Sequence, residues 1–202
     1  MKVKDSVGML QRIKPRLAVA GSGLAAGLIS SLAISALILL VEKLADLPVG
    51  TFYLVLASVA LQTEAHTVDT IALGLLMHLA AGSVIGLVIS IPFVVSKRLL
   101  ASADRYAPVY GLAAGFALWL ALFLPITFGV ILPLLNSLDS QLIRQQVPTG
   151  EVSSIATDEL LSIMDRVIAG SLAFNMFYGL LVLILTRLLS EAYMRRHQQV
   201  IL

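Results

Sequence analysis

The chain has 202 residues; 13% are charged, 58% are hydrophobic, and the mean hydropathy is +0.95. A soluble domain carries roughly 25% charged residues, so this one lacks the polar surface to wrap a core in water, which excludes an ordinary cytosolic enzyme, a disordered chain and a secreted disulfide scaffold. With no cysteine, disulfides, thiol nucleophiles and cysteine-ligated zinc or iron–sulfur centres are excluded as well. The class left is an all-α polytopic membrane protein.

The first segment, residues 1–14, is basic. Val3, Val7, Leu10 and Ile13 recur at helical spacing, which reads either as a flank that fixes orientation or as a short amphipathic helix ending at Pro15. The first uncharged run, Leu17 to Val41, is long enough to cross a hydrocarbon core, which takes about 20 residues. It exceeds a cleavable signal's apolar region and no small-residue cleavage pattern follows, so it reads as a span. A second uncharged stretch, Leu47 to Thr63, opens with Leu-Pro-Val-Gly and has acidic residues on both sides. It reads as a short interfacial or re-entrant helix. A fifth crossing would put the termini on opposite sides.

Glu64, His66 and Asp69 form a compact polar group next. Such donors suit zinc or copper, but their spacing matches no motif and a solvated loop is the expectation. The run Thr70 to Ser96 is the second span, interrupted only by His78. The third span lies within Tyr106 to Leu138, where Pro125 and Pro133 flank Gly129; there the helix is expected to fray on leaving the bilayer, a hinge being the other reading. The fourth run is Val167 to Thr186. One membrane domain of four transmembrane helices follows, with spans of about 17–41, 70–96, 106–133 and 167–189 and outer loops 42–69 and 136–166. Without water to satisfy the backbone, each span must be helical.

Lysine and arginine set orientation. Eleven of the fourteen lie before the first span, between the second and third, or after the fourth. Only Lys43, Arg144 and Arg166 fall in the other loops, which also hold nine of the twelve acids, Glu42 among them. Both termini are therefore expected in the cytoplasm. The pI near 9 reflects these flanks and no nucleic-acid face.

The string GLAAG occurs at Gly23–Gly27 and again at Gly111–Gly115. Spans two and four share a polar residue followed by glycine four positions later, His78 with Gly82 and Asn175 with Gly179. This predicts a parallel internal repeat of a two-helix unit. Small residues also recur at every fourth position: Gly23, Gly27, Ser31 and Ser35; Gly74, His78, Gly82, Gly86 and Ser90; Gly111, Gly115 and Trp119; Ser171, Asn175 and Gly179. Lipid tails are as apolar as leucine, so close approach through small residues is what draws such helices together. Packing within the bundle is expected ahead of homodimerisation, which the same ridges would serve.

No uncharged run contains Asp, Glu, Lys or Arg, against proton- or sodium-coupled transport. His78 is the titratable group deep in a span. Asn175 is expected at about the same depth, and the two could hydrogen-bond to each other or to backbone carbonyls. A structural role for His78 is expected ahead of a solute contact, and that ahead of metal or haem ligation, which lacks a second intramembrane histidine. Gly21-Ser-Gly23 resembles part of a dinucleotide fingerprint but follows no strand. No catalytic motif is present, so no enzyme and no cofactor is expected.

The segments GLAAG in span one, LADLPVGTFYLVLA (residues 44–57), GLLMHLAAGSVIGLV (74–88), YGLAAGFALWL (110–120) and AFNMFYGLLV (173–182) resemble the YagU-like group of small uncharacterised prokaryotic integral membrane proteins. In that group the fourth span often has a histidine before a tyrosine-glycine pair. Asn175 stands there in this chain, ahead of Tyr178-Gly179. The resemblance implies a four-span fold and brings no biochemical function with it.

The expected function is that of a structural or accessory membrane protein, in the lipid bilayer with other subunits or copies of itself. One alternative is a small-solute conduit lined by His78, Asn175, Ser171 and Tyr178. Another is a metal- or haem-bearing redox subunit.

Overall fold

The computed structural model describes residues 2–61, 68–133 and 164–199, with the side chains of residues 1–16 and a few others left aside. Loop 136–166 lies outside the described residues up to 163, as do Glu64 and His66. Among the described residues four helical stretches are long and apolar enough to cross a membrane: Leu17–Leu44, Asp69–Val95, Arg105–Val130 and Asp165–Arg196. They match the four expected spans to within a few residues, apart from the fourth, which runs past residue 189. The fold is all-α.

Helix α1 (Lys2–Leu44) is continuous. Pro15, one candidate for ending a separate amino-terminal helix, lies inside it. A proline removes a single backbone donor, and the turns on either side keep theirs. Helix α2 (Thr51–Leu61) spans only about 16 Å at 1.5 Å per residue, too short to cross, as expected for the 47–63 stretch. Helix α3 (Val68–Val95) is followed after one residue by α4 (Lys97–Leu118). Ser96 makes this turn in an extended conformation, and its hydroxyl accepts the Leu99 N–H at 3.3 Å. The connection between spans two and three is therefore helical, and α4 starts eight residues before its span.

Beyond α4 the helix neither frays nor breaks at Pro125. Two π-helical turns, Trp119–Phe123 and Thr127–Ile131, flank a short α segment, Leu124–Ile126. Pro125 has no N–H for the Ala121 carbonyl. The ladder shifts instead, with Leu124 N–H bonding the Trp119 carbonyl and Leu132 N–H the Thr127 carbonyl. Such local insertions are how a helix absorbs a proline without ending. Helix α5 (Met164–Gln199) completes the bundle.

The helices pack as two antiparallel pairs, α1 on α3 and α4 on α5, joined mainly where α1 meets α5. The core between them is Val19, Ile34, Ile89, Phe93, Tyr178, Val182 and Leu183. A β-carbon at Gly86 would lie 2.5 Å from the Gly27 α-carbon and 2.8 Å from its nitrogen, and one at Gly27 would strike the Gly82 carbonyl. Gly23 lies against Gly86 and Ser90. In the other pair a β-carbon at Gly111 would be 2.7 Å from the Gly179 carbonyl oxygen, and one at Gly115 would be 2.5 Å from the Met176 α-carbon and against the Asn175 carbonyl.

These contacts revise the register of the repeat. The first GLAAG glycine of each pair meets Gly86 and Gly179, and the last meets Gly82 and Asn175. Geometry therefore equates Asn175 with Gly82, whereas sequence matching equates it with His78. The two halves share a string but grip their partner helices one helical turn apart.

Candidate functional site

The four polar residues singled out from sequence do not converge. His78 faces α2: its ring stands edge-on to Phe52 at 5.7 Å and to Tyr53 at 5.9 Å between centroids. Its Nε2 is buried without a hydrogen-bond partner. Asn175 does not pair with it, because the Asn175 amide donates back to the Ser171 carbonyl at 2.8 Å. Ser171 in turn accepts the Trp119 Nε1–H at 3.0 Å and donates to the Ile168 carbonyl at 2.7 Å. Tyr178 reaches the other way, its hydroxyl donating to the Gly82 carbonyl of α3 at 2.5 Å. Ser171 and Tyr178 thus fasten helices, Asn175 bonds within its own helix, and His78 packs on aromatic rings.

Helix α2 reaches His78 through a device centred on Glu42. This residue was expected among loop acids, but it sits in the last turns of α1, 5% exposed. Its carboxylate accepts two backbone donors, Gly50 N–H and Phe52 N–H, both at 2.7 Å. These are orphan donors at the start of α2, where a negative charge is favoured. The chain turns back from α1 through Asp46 (φ 56°) and Gly50 (φ 95°), both left-handed. Gly74 then lets α2 come close, since a β-carbon there would strike the Tyr53 carbonyl.

Tyr53 is 1% exposed, and its hydroxyl, like that of neighbouring Ser35, has no hydrogen-bond partner. Burial pushes the Tyr53 phenol above its ordinary pKa. Sequence reasoning missed both Glu42 and Tyr53. The available signal was a carboxylate six residues before a Pro-x-Gly turn that opens an apolar helix.

Among the described residues no three carboxylates or imidazoles gather into a metal-binding set. Asp69 is exposed, and its suggested partners Glu64 and His66 are outside those residues. No family model matches the chain, no curated protein matches it, and no solved structure matches it.

Proposed function

We propose that the chain is a multi-pass protein of the cytoplasmic membrane, both termini in the cytoplasm, acting as a non-enzymatic structural or accessory component beside other membrane proteins or copies of itself. The observation that carries this is where the polar groups of the spans point. Ser31, Ser90 and Asn175 bond to carbonyls of their own helices, while Trp119 with Ser171 and Tyr178 with Gly82 bond across helices, so these polar side chains are engaged inside the bundle and line no common path. The kinship with the YagU-like group belongs to the same proposal and rests on the quoted segments.

The small-solute conduit has less support. It needs His78, Asn175, Ser171 and Tyr178 along one path, and they face different neighbours. A redox subunit has less again, the rings beside His78 being those of Phe52 and Tyr53.

Mild extraction from native membranes tests the accessory role. The chain should run with partner proteins or as an assembly of itself, and a lone monomer overturns the reading. Orientation has a clean test because the chain lacks cysteine. A membrane-impermeant maleimide should label Val49→Cys on intact cells and Gln198→Cys only after permeabilisation.

A further inference from the structure

At the end of the bundle that carries the α3–α4 turn lies a cavity of about 550 Å³, within the size range of small-ligand sites. Its lining changes character along its length. Val19, Phe93 and Leu183, all buried, form one part, and Arg187, Glu191 and Arg195 form another. Between them stands Thr186, 5% exposed, whose hydroxyl has no hydrogen-bond partner. Thr186 is also the last residue of the uncharged run of α5, and Arg187 is the first charge after that run. The cavity therefore straddles the level at which hydrocarbon gives way to the polar interface.

The charged part is positive on balance. Glu191 takes the Arg187 Nε at 2.9 Å and the Arg195 Nη2 at 3.5 Å, so two guanidiniums share one carboxylate. The Arg195 side chain is 79% exposed and loosely held. A guanidinium of this kind offers several donors in the fork geometry that phosphate accepts. Apolar wall, buried unpaired hydroxyl and basic rim follow the order of acyl chain, ester and phosphate in a bilayer lipid.

We propose that this cavity binds one anionic phospholipid of the surrounding membrane, its acyl chain along Val19, Phe93 and Leu183, its ester region at Thr186 and its phosphate at Arg195. The proposal needs the chain to span a membrane and is independent of what else it assembles with.

The test uses the full chain reconstituted in phosphatidylcholine containing a minority of phosphatidylglycerol, then extracted in mild detergent and weighed intact by mass spectrometry. The wild type should retain one phosphatidylglycerol per chain in preference to phosphatidylcholine. Arg195→Gln, at an exposed position, should weaken retention about fivefold, and Thr186→Val should weaken it without changing the thermal unfolding profile. Ala103→Phe, which fills the cavity, should abolish it; if that variant does not fold, the other two decide. Equal retention of the two lipids, retention unaffected by Arg195→Gln, or binding of free oleate with none of phosphatidylglycerol would each overturn the assignment.

Discussion

The Tyr178 hydroxyl donates to the Gly82 carbonyl across 2.5 Å, and this bond ties the α4–α5 pair to the α1–α3 pair. Gly82 is itself a contact point of the first pair, so three helices meet at one backbone carbonyl. The tyrosine is 8% exposed, and its ring belongs to the central core. Tyr178→Phe keeps the ring and removes only the donor. Interhelical hydrogen bonds in membranes contribute about 0.6 kcal/mol on average, up to roughly 1.7. Unfolding in mixed micelles followed by circular dichroism should show a loss of that size. A loss well beyond it would mean the hydroxyl also orders something else.

Glycines at the two crossings should respond differently from glycines elsewhere. Gly86→Ala and Gly115→Ala each put a methyl group into the facing backbone, and overpacking of this kind costs about 1–3 kcal/mol. Gly21→Ala and Gly170→Ala meet nothing within 4 Å and gain helix propensity, so neither should destabilise. Parallel unfolding of the four variants checks this. Equal effects at all four would remove the idea that close backbone approach holds the pairs.

Much of this arrangement could be read from residue order, because lipid leaves few choices. Four apolar runs had to become helices, and the α2 stretch was too short to be a fifth. Some members of the fourfold rows lie close across the two crossings, Gly27 with Gly86 and Gly111 with Gly179, whereas Gly74 and His78 of the same rows face α2. What could not be read depends on neighbours distant in sequence. The one-turn offset between the halves is set by how whole helices nest, to which the GLAAG string is blind. The π turns depend on how Pro125 is accommodated locally, and the carboxylate of Glu42 could be placed only once the chain was seen to fold back through Asp46 and Gly50. A charge flanking a span looks the same on paper whether it is solvated or buried as a cap.

That cap gives a local prediction. Glu42→Ala leaves the Gly50 and Phe52 N–H groups without their carboxylate, and losing a charged cap costs about 1–3 kcal/mol. The effect should be confined to α2 and its contact with Gly74. Hydrogen exchange should therefore speed up roughly tenfold or more in the first turns of α2 while α4 and α5 stay protected. Exchange that rises uniformly across the bundle would show that Glu42 supports the whole fold and not one helix.

His78 separates the structural reading from the conduit. Its Nε2 is buried and unpartnered, and its ring is held edge-on by Phe52 and Tyr53. An unsatisfied buried polar atom is a cost, and replacing it with an apolar group of similar shape is close to neutral or stabilising. Phenylalanine keeps a flat ring in the same slot and can make the same edge contacts, which are worth about 0.5–1.5 kcal/mol per pair. His78→Phe should therefore unfold at the same denaturant concentration as the wild type or a higher one. In vesicles it should also leave permeability to small polar solutes unchanged. A clear loss of stability would mean that Nε2 holds a partner in the membrane, and a loss of flux would return His78 to a solute path.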